Sequence, residues 1–212
     1  MSEQLKLSRA HHKRRTHAER TAETRGRIKD AVVEAISDLG FHRTTAAEIS
    51  RRAGVSWGAA QHHFGDKDGI LTAVLVDSFN QFAERLASIS VEGRPLEARV
   101  ASFVDAAWEH FGDPRYRCTL EILLNLPPPD WVSRELPLRD ATLEAWSGIW
   151  DRFFGEAKLS PRNETAVQYY TVSVLSGLAA IKRFEGPVEE RRGIELGFLK
   201  ETLVRELGRG GG

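Results

Sequence analysis

Between Thr45 and Phe64 the sequence carries two helix starts and one helix stop so close together that few local arrangements fit them. Thr45-Ala46-Ala47-Glu48 has the spacing of a capping box, in which the Thr hydroxyl accepts a backbone N–H and the Glu carboxylate reaches back. Gly54 then supplies a stop, because glycine takes a left-handed backbone without a Cβ penalty. Ser56 is a second N-cap two residues later. Two short helices, Thr45–Arg52 and Ser56–Phe64, are therefore joined by Ala53-Gly54-Val55, the spacing of a helix-turn-helix unit. Small Ala53 lets the two helices cross closely, and Ile49 and Val55 are expected to bury in the corner against the preceding helix.

Apolar spacing extends the helical reading over most of the chain. Ile28, Ala31, Val32, Ala35, Ile36 and Leu39 form one stripe, ended by Gly40. Asp66 is placed to cap a helix carrying Leu71, Leu75, Phe79, Phe82, Leu86 and Ile89. Further helices are predicted from Pro95 through Phe111, then after a loop at Gly112-Asp113-Pro114 to about Leu126, and from Glu135 to Phe154. Two more run from Ser160-Pro161 to about Phe184 and from Val188 to Leu207. Pro127-Pro128-Pro129 predicts a stiff, extended connector. Neither strand-like alternation nor an internal repeat is legible. The fold class is all-α.

Charge is distributed unevenly. The chain balances 30 basic against 30 acidic residues, but residues 1–67 hold 13 Lys/Arg against 8 Asp/Glu. Six of the seven histidines also fall before residue 64. A basic N-terminal third fits contact with a polyanion, and it equally fits a solvated face without a partner. With Cys118 the only cysteine, an intramolecular disulfide is impossible, a Cys-based zinc site is disfavoured, and a reducing, cytoplasmic setting is expected. No apolar run approaches the ~20 residues of a membrane span.

In the N-terminal stretch, Arg25-x-x-Ile28-x-x-Ala31, Gly40-Phe41-x-x-Thr44-Thr45, Glu48-Ile49-x-x-x-Ala53-Gly54-Val55-Ser56-x-Gly58 and His62-His63-Phe64-x-x-Lys67-x-x-x-Leu71 follow in order. This pattern resembles the DNA-binding domain of the TetR family of transcriptional regulators. The resemblance implies an N-terminal three-helix helix-turn-helix DNA-binding domain and a larger helical domain that binds a small effector and forms a homodimer. The expected division is a basic arm at 1–17, the DNA-binding domain at 18–66, the effector and dimerisation domain at 67–207, and a flexible tail at 208–212. By position, Thr45, Lys67 and His63 are expected at the DNA backbone, with Ser56 opening the reading helix. Trp57, Gly58 and Gln61 are expected to face the groove. The resembled family usually has a large apolar residue and then Tyr before the His-Phe pair, where this chain has Ala60 and Gln61. Trp57 has a second reading, as a lid folded over the first helix, and Phe64 is expected to pack. Lys13, Arg14 and Arg15 are expected near the minor groove or the phosphates.

Beyond that motif the signals are coarser. His11-His12 and His62-His63 lack a completing Cys or carboxylate set, so neither a metal nor another cofactor is expected. No phosphate loop, nucleophile elbow or H-E-x-x-H is present, and an enzyme is not expected. Trp108, Cys118, Trp146 and Trp150 are expected to border a pocket for a small apolar or aromatic effector, although each residue equally suits a helical core. Val167, Tyr170, Val174, Leu178 and Ile181, with Ile194, Phe198, Leu199 and Leu203, predict a dimer interface between the last two helices and their copies. The partners implied are a double-stranded DNA operator, an effector and a second copy of the chain, with repression the expected outcome and no membrane. The alternative is a helical protein-binding module whose helix-turn-helix does not bind DNA.

Overall fold

A computed structural model describes residues 16–125, 137–184 and 189–209, which form nine α-helices. The expected Pro127–Pro129 connector, the basic triplet Lys13–Arg15, the pair His11-His12 and Trp131 lie outside the described residues. Helix α1 (His17–Leu39) opens on a complete capping box: the Thr16 hydroxyl accepts the Glu19 N–H at 3.1 Å, and the Thr16 N–H donates to Glu19 at 2.7 Å. Its buried stripe is Ile28, Ala31, Val32, Ala35 and Ile36, the expected face. A 3-10 turn at Phe41–Arg43 leads to α2 (Ala46–Ala53) and α3 (Trp57–Phe64).

The turn between α2 and α3 forms as its residues dictate. Gly54 lies in the left-handed region at φ 63° and ψ 37°, and the Val55 N–H closes onto the Ser50 carbonyl at 3.1 Å. The cap at Thr45 is only half a box. Its hydroxyl accepts the Glu48 N–H at 3.2 Å, while the Thr45 N–H bonds to the Arg43 carbonyl at 3.0 Å. The Glu48 carboxylate goes to Arg51 and Arg52, each at 2.6 Å, because two guanidinium donors compete better than one neutral amide.

Helix α4 (Lys67–Ala87) is capped by Asp66 and connects two cores. Ile70, Leu71 and Val74 in its first half join α1, α2 and Ala60 of α3 in the N-terminal core. Phe82 and Leu86 in its second half join a larger core. That core is built from α5 (Leu96–Phe111), α6 (Pro114–Asn125), α7 (Pro137–Phe154), α8 (Pro161–Ile181) and α9 (Glu189–Gly208). Helix α6 also reaches both, with Tyr116 in the larger core and Cys118 and Ile122 in the N-terminal one. Arg152 of α7 donates to the carbonyls of Leu86, Ala87 and Ile89, satisfying acceptors that the end of α4 leaves open.

Candidate nucleic-acid interface

Helix α3 is eight residues long, too short to hold itself in water. It is fastened at both ends and along one side. Ser56 accepts the Ala59 N–H at 3.2 Å, fixing the first turn, and Ala60 is completely buried against the N-terminal core. At the far end Arg25 of α1 donates to the His63 carbonyl and lies 4.1 Å from the centroid of the Phe64 ring. The opposite face, with Gly58, Gln61 and His62, is exposed. A Cβ added at Gly58 would meet nothing within 4 Å, so the chain's own packing does not require a glycine there. The bare backbone leaves room for something outside the chain to come close.

The other expected contact residues lie on the same N-terminal unit. Thr45 is exposed at the N-cap of α2. Lys67 opens α4 with its ammonium 5.2 Å from the Phe41 ring centroid, a cation–π seat that orients it. Trp57 is half-buried and packs partly against the N-terminal core, so the lid reading describes part of its surface. Partial desolvation holds the His63 imidazole below its ordinary pKa, with the charges of His62, Arg25 and His17 acting in the same direction. Hydrogen bonds from Arg51 and then Arg52 depress the Glu48 carboxyl to about 2. Arg52 is also paired with Asp38 of α1 at 2.6 Å, so its charge joins α2 to α1. Arg25, the residue that ties α1 to the end of α3, stands in the sequence motif but carries no role that spacing could assign.

The residues expected around an effector are divided between the two cores. Trp108, Trp146 and Trp150 pack in or against the larger one. Trp150 is 2% exposed, with its ring 4.7 Å from Phe154 and 6.0 Å from Phe103. Trp146 stacks on Phe82 at 5.9 Å and donates its indole N–H to Gln168 at 2.8 Å. Cys118 is buried in the N-terminal core, where burial pushes its thiol up to about 12. The structure does not bring it together with the tryptophans. A cleft of about 90 Å³ opens elsewhere, between α1, α4, α5 and α6, with Asp77, Ser78, His110 and Thr119 among its walls.

The expected interface residues are also divided. Tyr170 and Phe198 are 44% and 62% exposed, and Ile181 and Ile194 are exposed beside them in the last two helices. Val174 and Leu178 are half-buried against the chain's own core. Leu199 and Leu203, expected in the same stripe, are instead buried in that core, because this side of α9 packs on α5. Among the described residues no group of three or more His, Cys, Asp or Glu could hold a metal ion. Nor is any described helix long and apolar enough to cross a membrane.

A capped, outward-facing second helix on a three-helix unit, carried by a larger helical body, defines a helix-turn-helix protein. The family model described as bacterial regulatory proteins, tetR family, matches residues 28–74. The chain thus resembles the TetR family over this N-terminal segment. It is 37% identical over 102 residues to the HTH-type transcriptional regulator BetI of Escherichia coli, a match covering 41% of this chain and 52% of that protein. The chain thus spans about half the length of the curated relatives it matches. A TetR-family transcriptional regulator of Haemophilus influenzae shares the fold at a TM-score of 0.62 and 18% identity, covering 89% of this chain and 98% of the other. NalD of Pseudomonas aeruginosa, the secondary repressor of the MexAB-OprM multidrug efflux pump, does so at 0.59 and 20%, covering 91% and 97%.

Proposed function

We propose that this protein is a homodimeric transcriptional repressor that holds a double-stranded DNA operator and lets it go when a small molecule binds. The observation that carries this reading is α3 itself: Ala60 and the Arg25 tie pin one side, while Gly58 and Gln61 stay bare on the other. A helix held that way suits insertion into a major groove, its partner copy lying about one turn, roughly 34–36 Å, along the duplex. Thr45, His63 and Lys67 are assigned to the phosphates. The groove face is Trp57, Gly58 and Gln61, with Ser56 setting the helix start. Tyr170, Val174, Leu178 and Phe198 are assigned to the dimer contact, the exposed Tyr170 and Phe198 supplying most of its free apolar surface. The tryptophans fill their own space by ring packing, so the apolar pocket expected around them with Cys118 is not carried into this reading.

The deciding experiment is selection of bound DNA from a random pool by the purified chain. An enriched two-fold site, bound with steep salt dependence, is the expected result. No enriched sequence and no salt-dependent binding would favour the protein-binding alternative.

A further inference from the structure

The cleft between α1, α4, α5 and α6 lies where α4 passes from one core to the other, and its chemistry is unlike either core. Its floor is a chain of hydroxyls ending on an imidazole. Thr119 donates to the Ser78 hydroxyl at 3.0 Å, and Ser78 in turn lies 3.4 Å from Nε2 of His110. In the tautomer that leaves Nε2 unprotonated, Ser78 donates to it while accepting from Thr119. The imidazole is held in place by stacking on Phe82 at 5.0 Å. The space, about 90 Å³, exceeds the ~10–15 Å³ that a single water needs.

Around that floor each charged wall group has a partner. Lys29 of α1 pairs with Asp77 of α4, and Asp30 of α1 with Arg115 of α6 at 2.6 Å. Arg85 of α4 pairs with Glu109 of α5, and Asp113 accepts the Arg115 backbone N–H at 2.7 Å. A guest with one charge would break one pair to form one, with no net gain at side chains that are partly to mostly exposed. A guest with both charges replaces a pair with two pairs. We infer that this cleft binds a small zwitterion of α-amino-acid size, its ammonium on Asp77 and its carboxylate on Lys29, and that binding separates α1 from α4. This inference rests on the proposed function only for its consequence, release of DNA. Lys29 and Asp77 join the helix that holds α3 by Arg25 to the helix that enters the larger core. Parting them loosens the DNA-reading unit from the body.

The test uses the full chain and the twenty L-α-amino acids as probes, read by thermal melting without DNA. At least one is expected to raise Tm by a few degrees. Its amide and its des-amino acid, each lacking one charge, should bind at least ~10-fold more weakly. Asp77→Asn and the milder Ser78→Val should both weaken binding, with cooperative melts showing that the variants fold. The amino acid that binds should also lower operator affinity. The inference is overturned if no amino acid raises Tm, if the singly charged analogues bind equally well, if both variants bind as the parent does, or if binding leaves operator affinity unchanged. Failure of the unliganded chain to hold any selected DNA would instead count against the repressor reading, since the melts involve no DNA.

Discussion

Lys67 and Gln61 stand on either side of the corner between α3 and α4, yet they are suited to different parts of a duplex. Lys67 is a point charge seated over Phe41, suited to a phosphate. Lys67→Ala should weaken matched and mismatched sites alike and reduce the salt slope by about one phosphate contact per subunit. Gln61, exposed on α3, carries an amide that can pair twice with adenine. Gln61→Ala should cost roughly 1–3 kcal/mol per half-site on the preferred operator and much less on a substituted one. Titrating both variants against matched and single-base-substituted operators at two salt concentrations separates the roles; uniform loss for Gln61→Ala would place it at a phosphate. His110 gives a prediction about stability instead. Burial, with the Arg85 charge adding, lowers its pKa from 6.5 to about 4. Above 6.5 both folded and unfolded chains leave it neutral. Below that, the unfolded chain takes up a proton that the folded one resists, so stability falls with pH down to about 4. Between pH 7 and 5 this amounts to up to about 2 kcal/mol. Urea unfolding of His110→Gln at the two pH values should show a smaller difference than the parent; an equal difference would remove His110 as its source.

At the scale of the element, α3 depends on its cap more than on its length. Ser56→Ala removes the bond to the Ala59 N–H and should cost about 1 kcal/mol. Ser56→Asp keeps a capping oxygen but adds a negative charge at the helix start. That variant should melt like the parent and bind DNA poorly, whereas Ser56→Ala should lose stability first. If Ser56→Asp bound DNA as tightly as the parent, the start of α3 would not lie near phosphates. The half-formed box at Thr45 belongs to the same scale: Glu48, which spacing assigns to the backbone, serves Arg51 and Arg52 instead.

At the scale of the molecule the exposed apolar residues of α8 and α9 bear on the proposed dimer. Tyr170, Ile181, Ile194 and Phe198 are exposed on the outside of the larger core, and Tyr170 and Phe198 belong to the surface proposed for the dimer contact. Sedimentation at micromolar concentration should show a dimer. Phe198→Asp should give a folded monomer, because Phe198 lies outside the chain's own core, while Leu203→Asp should unfold it, since Leu203 is completely buried. A monomeric parent would contradict the assignment.

Local chemistry was enough for much of this protein. Caps, stops and apolar periods involve residues within about four positions of one another, so Thr45, Gly54, Ser56 and Asp66 mark their helices correctly before any packing is known. Thr16-His17-Ala18-Glu19 has the same legible spacing, and the expectation of a flexible arm through residue 17 leaves it out. The N-terminal motif was legible for the same reason, being one unit read in order. Periodicity identifies an apolar face without saying what covers it. Tertiary packing therefore decided that Leu199 and Leu203 face α5 while Phe198 stays outside, and that Cys118 joins the N-terminal core rather than the tryptophans. The cleft was invisible in the sequence because its pairs are long-range, Lys29 with Asp77 across 48 positions and Asp30 with Arg115 across 85. Helix formation is a matter of neighbours; which charges meet is settled only when α1, α4 and α6 pack against one another.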